Sequence, residues 1–315
     1  MASKLQFLMY FIISVFSIFL AVACTSDNDV PFPDSEAPSI DFEGSALTRG
    51  IVNAADDMSA FDVWGWYSPI SGTGTARQVF DATLVSRNGT TWTYDNIQRW
   101  QQGNIYQFYA IYPSFDAECG YESASCDQDG TFTIYNFDCS KTGDEAVDLM
   151  TAVRSVECGT DGYPGKVSMP FQHELAKVDI VGQSEGSDAY IIRIQLTGIN
   201  STGNYVMSEW ELDETEIVTY TKDGFSLPAV PTNIFGSLLL IPQSVKDIKL
   251  RITYKFPGIA NSSQTQILFL PATPDKWERG KHYQYSFTLK GNYIIFNSPQ
   301  VNEWKEASGG IIIVA

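Results

Sequence analysis

Apolar and polar residues alternate with a period of two along most of this chain. Residues 248–256 alternate five apolar side chains with Lys249, Arg251, Thr253 and Lys255, and residues 176–180, 192–196 and 283–290 repeat the pattern. Successive side chains of a β-strand point to opposite faces of a sheet, so each segment predicts a strand with one buried face. Such regular alternation over many segments is typical of antiparallel sheets with one solvated face.

The first half of the chain shows the same signal with more aromatic residues. Residues 61–67 are aromatic and β-branched, and turn-forming residues follow at positions 69–74. In residues 105–112 every second residue is apolar or aromatic, which predicts a half-buried strand. Strands separated by turns over the whole length predict an all-β protein built from β-sandwiches. A short helix fits only at residues 206–220.

The length and one glycine-rich stretch predict two domains. Residues 159–165 contain three glycines and Pro164, which is typical of a linker. We therefore predict an N-terminal β-sandwich over residues 50–165 and a C-terminal β-sandwich over residues 166–315.

The first residues of the chain have the features of an export signal. Residues 5–20 are almost wholly apolar, and a small residue precedes Cys24. This resembles a bacterial lipoprotein signal over residues 1–23, after which Cys24 is lipidated; an uncleaved membrane anchor is the alternative. Residues 24–49 then form a polar, acidic tether that ends in a basic residue, where Arg49–Gly50 is a bond that a protease can cut.

The charge balance limits the possible partners, and the cysteines indicate disulfides. The chain has 20 Lys and Arg against 37 Asp and Glu, a formal net charge of −17, so nucleic acid is not an expected partner. Besides Cys24, the chain has four cysteines. An even number of cysteines in an exported protein predicts two disulfides, in one of three connectivities. These residues are Cys119, Cys126, Cys139 and Cys158. A zinc site is the rival interpretation, but the chain has no C-x-x-C pair.

No catalytic motif stands out, so we predict neither an enzyme nor a cofactor or metal site. The chain has two histidines, and His173 lies at the entry of a predicted strand, where a structural hydrogen bond is expected. Asp127 and Asp129 resemble part of a calcium loop, but the later ligands are missing, so an acidic turn is the simpler interpretation. Tryptophans of the first half stack on sugars if exposed, although core packing is the commoner fate.

The end of the chain is a short apolar run behind two glycines. It consists of Ile311, Ile312, Ile313, Val314 and a final alanine. Left free in water, such a segment promotes aggregation. It is therefore either the last buried strand of its own domain or a strand that inserts into a neighbouring molecule. The sequence leaves both possibilities open.

Several short motifs, taken in order, resemble one family. They are the lipoprotein signal, Leu47-Thr48-Arg49-Gly50, Val63-Trp64-Gly65-Trp66-Tyr67, Tyr109-Ala110-Ile111-Tyr112-Pro113, Asp148-Leu149-Met150-Thr151-Ala152, His173-Glu174-Leu175-Ala176-Lys177-Val178, Leu240-Ile241-Pro242-Gln243, Trp277-Glu278-Arg279-Gly280-Lys281-His282-Tyr283 and Val301-Asn302-Glu303-Trp304. Their order and spacing resemble the fimbrillin family of Bacteroidota, the subunits of type V pili, in its fimbrillin-like version.

This resemblance implies an architecture and an assembly route. It implies two tandem transthyretin-like β-sandwiches, export to the outer membrane as a lipoprotein lipidated at Cys24, and cleavage after Arg49 by an arginine-specific protease. Residues 40–47 are then a removable strand that covers a groove, and residues 311–315 are the donor strand for another fimbrial subunit. The implied destination is a cell-surface fimbria. The alternative function is a surface lipoprotein that binds glycans.

Overall fold

The computed structural model describes residues 37–46, 58–116, 118–186, 189–259 and 262–304. Within these ranges the regular structure consists of β-strands and a single 3₁₀ turn at Gly143–Glu145, which confirms the predicted all-β class. The same ranges contain no helix that is long and apolar enough to span a bilayer.

The strands are numbered in chain order. Those before residue 175 are β1 (Phe42–Ala46), β2 (Ala60–Pro69), β3 (Arg77–Asn88), β4 (Thr91–Thr93), β5 (Asn104–Tyr112), β6 (Ser123–Cys126), β7 (Phe132–Asp138), β8 (Met150–Cys158) and β9 (Val167–His173). Those after it are β10 (Ala176–Glu185), β11 (Ala189–Asn200), β12 (Thr202–Val206), β13 (Glu209–Leu212), β14 (Ile217–Leu227), β15 (Thr232–Asn233), β16 (Leu238–Leu240), β17 (Lys249–Lys255), β18 (Gln264–Phe269), β19 (Lys281–Lys290), β20 (Tyr293–Phe296) and β21 (Gln300–Glu303).

These strands form four sheets. Sheet A has the order β1-β9-β8-β5-β2-β3-β4, sheet B has the order β13-β12-β7-β6, and sheet C has the order β14-β11-β17-β18. Sheet D has the order β15-β10-β19-β20, with β16 also beside β10 and β21 also beside β19. Neighbouring strands are antiparallel except for two parallel pairs, β1 with β9 and β10 with β19.

Sheet A separates two hydrophobic clusters. On β2, Phe61 and Val63 belong to the smaller, N-terminal cluster, whereas Trp64 and Trp66 belong to the larger, main cluster. Strand β5 divides its apolar side chains between the two clusters in the same alternating way. The half-buried interpretation of residues 105–112 is therefore wrong: β5 lies in the centre of a sheet that is covered on both faces.

Two further segments differ from the sequence-based picture or extend it. The helix allowed at residues 206–220 is wrong, because β13 and the start of β14 occupy this stretch. Its residues alternate in burial as strands do, which a helix cannot reproduce. Sheet B pairs β7 with β12 and so joins strands from both sides of residue 165. The predicted domain boundary and the count of transthyretin-like sandwiches remain predictions.

Candidate functional site

Strand β1 forms one edge of sheet A. Its five residues pair in parallel with β9, from Phe42 opposite Val167 to Ala46 opposite Phe171. The amide of Val167 also donates to the carbonyl of Asp41 at 2.7 Å. The strand forms here because Ile40 and Phe42 are apolar and point inward, while Asp41 and Glu43 remain exposed. The strand predicted within residues 40–47 is therefore present as β1.

The residues just before β1 are held from the other side by the loop that precedes β5. The amide of Ile40 donates to the carbonyl of Gln98 at 2.9 Å, and the amide of Trp100 donates to the carbonyl of Pro38 at 3.2 Å. The hydroxyl of Tyr94 donates to the carbonyl of Ile40 at 2.8 Å. Residues 38–46 therefore fill a slot between the edge of β9 and this loop.

The side chain of Phe42 fills an aromatic cage in the N-terminal cluster. Its ring centroid lies 6.2 Å from that of Phe61, 5.3 Å from Phe80, 5.9 Å from Tyr94 and 5.5 Å from Phe108, each in an edge-to-face arrangement. Phe42 is 2% exposed. Burying a phenylalanine side chain stabilises a fold by about 1.5–3 kcal/mol, and edge-to-face ring pairs add to that.

Strand β9 provides the other wall of the slot. Val167, Met169 and Phe171 point into the N-terminal cluster and are almost fully buried. Loss of residues 38–46 would uncover these side chains together with the aromatic cage and one hydrogen-bonding edge of β9. An apolar groove beside an open strand edge is the arrangement that accepts an added β-strand.

Several residues predicted to act in assembly lie outside the described residues. They are the lipidation site Cys24, the cleavage pair Arg49 and Gly50, and the donor strand Ile311, Ile312, Ile313 and Val314. In the sequence, Arg49 follows the last residue of β1 by three positions. Cleavage after Arg49 would therefore separate the whole of β1 from β2.

The structure does not show the predicted disulfides, because all four cysteines of the sandwich region are free thiols. Cys158 belongs to the N-terminal cluster, whereas Cys119 and Cys139 belong to the main cluster. The Cys119 Sγ donates instead to the carbonyl of Tyr121 at 3.2 Å. Burial raises the pKa of both Cys126 and Cys139 to about 12, so these thiols are poor nucleophiles.

His173, at the end of β9, has the structural role that its position predicts. Its Nδ1 lies 2.8 Å from Oδ1 of the buried Asp148. Its ring stacks on Trp304, with centroids 3.7 Å apart and planes 7° from parallel. The ring therefore connects the end of β9 to the residue that follows β21.

A second buried polar contact lies beside it. The Oε1 of Glu174 accepts from the Thr151 hydroxyl at 2.6 Å, and its Oε2 accepts from Arg279 at 2.9 Å. Arg279 also donates to the Tyr205 hydroxyl at 3.1 Å, and the Glu174 carboxylate raises the pKa of the Arg279 guanidinium. This contact holds sheets A, B and D together, and the sequence offered no signal for it because its members are up to 128 positions apart.

The remaining candidate chemistry is structural. The Oδ1 of Asp127 accepts from the amides of Asp129 and Thr131 at 3.0 and 2.9 Å, so this acidic turn satisfies its own backbone. Trp64, Trp66 and Trp100 are buried in the two clusters, and Trp92 is half-buried. In the described parts of the chain, no three His, Cys, Asp or Glu side chains come together as a metal site.

A model of the fimbrillin-like family matches residues 48–304. The chain belongs to this fimbrillin-like family. The family consists of fimbrial structural proteins and is not an enzyme family. Membership supports a place in a cell-surface fimbria, with other fimbrial subunits as partners.

Solved structures show the same fold. A fimbrial protein from Bacteroides vulgatus is 16% identical and superposes with a TM-score of 0.56, over 84% of this chain and 99% of that one. A proposed cell adhesion protein from Bacteroides ovatus is 14% identical and superposes with a TM-score of 0.57, over 86% of this chain and 99% of that one. No curated protein matches the chain.

Proposed function

We propose that this chain is a fimbrial subunit that assembles by protease-triggered strand exchange. It is exported as a lipoprotein through Cys24 and held at the outer membrane. An arginine-specific protease then cuts between Arg49 and Gly50. The cut releases β1, and a strand from another subunit occupies the vacated groove.

The observation that carries this proposal is the position of β1. It is an edge strand that ends three residues before Arg49 and places Phe42 in the aromatic cage. Its backbone pairs with its own sheet through β9 alone, so its loss leaves the other six strands of sheet A connected. A replaceable plug needs this combination of an apolar anchor and an edge position.

The donor side of the exchange rests on the end of the sequence. Residues 311–314 are four β-branched apolar residues, and eleven residues follow Trp304. At roughly 3.3 Å per residue, an extended segment of this length spans about 36 Å. That reach exceeds the length of the five-residue β1 that it would replace.

The test is cleavage of the purified lipid-free precursor by an arginine-specific protease. We expect the cut chain to form ladders on a denaturing gel run without boiling, and the Arg49→Ala chain to remain a single band. Arg77→Ala is the matched control, because Arg77 is an exposed arginine at the start of β3, a strand that does not pair with β1; it should form ladders like the parent. A parent chain that is cut after Arg49 and stays monomeric would contradict the proposal.

Glycan binding gains no support from the tryptophans that suggested it. Three of the four pack inside the protein, and Trp92 lies against the ring of Phe61 at 5.1 Å. We therefore retain only the fimbrial function.

A further inference from the structure

Sheet C exposes one face to the solvent, and β17 carries a row of cations on that face. Lys249, Arg251 and Lys255 alternate with apolar residues that are completely buried. Because alternate residues of a strand share a face, all three charged side chains point outward, and the first two lie about 7 Å apart along the strand.

Apolar side chains flank these cations on the neighbouring strand. In the antiparallel register, Phe269 lies opposite Lys249 and Ile267 lies opposite Arg251. Both apolar side chains are 57% exposed. The Lys249 Nζ lies 5.0 Å from the centroid of the Phe269 ring. We call the surface formed by Lys249, Arg251, Lys255, Ile267 and Phe269 the basic face.

The cations of the basic face are not neutralised within the described chain. The four strands of sheet C contain one carboxylate, Asp223, and it pairs with Arg193 through two hydrogen bonds of 2.8 Å each. No described carboxylate forms an ion pair with Lys249, Arg251 or Lys255. In a chain of net charge −17, this is a segregated positive surface.

An acidic cleft of about 630 Å³ lies elsewhere on the same chain, beside the 3₁₀ turn. Its acidic lining residues are Asp116, Glu118, Asp144, Glu145 and Asp148, and one basic residue, Lys141, also lines it. Asp148 is buried, and its Oδ2 has no hydrogen-bond partner within the described residues. Phe115, adjacent in sequence to Asp116, is 60% exposed. The cleft therefore offers the charge that complements the basic face, and an exposed apolar side chain adjoins its lining in sequence.

We propose that the basic face docks on the acidic cleft of a second copy of this chain. The two surfaces are different patches, so the contact is head-to-tail and can repeat from copy to copy. It rests on the proposed function only in that a fimbria brings many copies together. It is separate from strand exchange, because neither surface includes β1 or the groove that β1 fills.

A second copy fits the basic face better than a free anionic polymer does. In a second copy the carboxylates line a concave cleft. Several of them can therefore contact the long Lys and Arg side chains of the basic face at the same time. The overall negative charge of the chain repels a polyanion at long range, while the local attraction acts within a Debye length of about 10 Å. Subunits already held in one fibre meet at high effective concentration, which favours a weak local contact.

The experiment uses the lipid-free chain carrying Arg49→Ala, in which strand exchange is blocked. Sedimentation velocity over a range of protein concentrations measures self-association at low salt and at about 0.3 M NaCl. We expect reversible association that weakens with salt. Replacing the three cations, as Lys249→Glu, Arg251→Glu and Lys255→Glu, should raise the dissociation constant about tenfold or more.

A charge-matched control separates this contact from general repulsion. The variant Arg77→Glu, Arg154→Glu and Lys166→Glu changes three exposed cations of the other half by the same total charge. It should associate within about twofold of the parent, since none of the three belongs to the basic face or lines the acidic cleft. Equal weakening in the two triple variants would overturn the proposal.

Mixing identifies the partner surface. A cleft variant, Asp144→Lys and Glu145→Lys, should fail to self-associate, because its cleft then has three acidic and three basic side chains and no longer attracts the basic face. Mixed with the Lys249→Glu triple variant, it should form complexes, since an unaltered basic face again meets an unaltered cleft. Absence of complexes in the mixture, or a parent chain that remains monomeric at low salt but binds a sulfated polysaccharide through the basic face, would overturn it. Failure of the protease test alone would leave this result unaffected.

Discussion

The ring of His173 stacks face to face on the ring of Trp304, with centroids 3.7 Å apart. His173 ends β9, the strand that pairs with β1, and Trp304 directly follows β21. The strand that pairs with the N-terminal plug and the residue that precedes the C-terminal segment therefore meet at one buried contact. The amide of Trp304 also donates to the carbonyl of Gly280 at 2.8 Å, which fixes its position.

Substituting His173→Ala should destabilise the fold by roughly 3 kcal/mol. The change removes the stacking partner of Trp304 and leaves the Asp148 carboxylate buried without its hydrogen bond, and an unpaired buried group of this kind costs that much. Urea unfolding measures the effect. The double variant with Asp148→Ala should lose less than the sum of the single losses, because the pair is coupled. A His173→Ala chain within 0.5 kcal/mol of the parent would show that the contact contributes little.

Substituting Phe42→Ala should cost about 3–5 kcal/mol of stability, because a large ring leaves a cage that cannot collapse around the gap. The loss should be concentrated in β1. In the Phe42→Ala variant the amides of residues 42–46 should therefore exchange with deuterium faster than those of β5. Glu43→Ala is the control: Glu43 neighbours Phe42 but is exposed, and surface substitutions usually stay within about 0.5 kcal/mol. Equal effects of the two substitutions would mean that β1 is not anchored by Phe42.

The sandwich region should contain four free thiols in the purified lipid-free protein. Titration with a thiol reagent in denaturant counts them directly, with Cys24 absent or blocked. In the native protein at pH 8, labelling of Cys126 and Cys139 should be slow, because their pKa of about 12 leaves little thiolate. A count of two or none in denaturant would restore the disulfide interpretation of the sequence.

The contribution of Asp62 to the stability of the protein should fall as the pH rises. Burial, partly offset by the hydrogen bond from the Phe115 amide, raises the pKa of this carboxyl above its ordinary value of 3.8. The folded state then binds the proton more tightly than the unfolded state, so this group contributes less stability as the pH rises through the raised value.

Asp62→Asn keeps an oxygen to accept from Phe115 and should therefore stabilise the protein at pH 7. The gain should disappear at a pH well below 3.8, where the parent carboxyl is neutral in both states. Urea unfolding of both chains at the two pH values tests this. A gain of equal size at both would assign the effect to packing instead of ionisation.

Period-two alternation was enough to locate most strands, including β17 and β19, whereas the strand before Arg49 was expected only from the family resemblance. Alternation is a local signal: the side-chain period of a strand follows from backbone geometry and can be read without knowing what covers it. The order of motifs was likewise enough for the family, since the fimbrillin-like match covers residues 48–304, where most of the motifs lie.

Tertiary structure decided which surfaces these strands meet. Alternation in β5 indicated one buried face, yet sheet A is covered on both, because the main cluster packs against the side that the pattern left open. The parallel partner of β1 is β9, whose first residue lies 125 positions after Phe42. A pairing across so long a loop leaves no pattern in the sequence of either strand. Cysteine spacing indicated disulfides, but proximity in sequence does not bring two Cβ atoms within bonding range. The sequence by itself determined the strands and the family; the contacts of Phe42, His173 and the basic face exist only once distant strands are placed side by side.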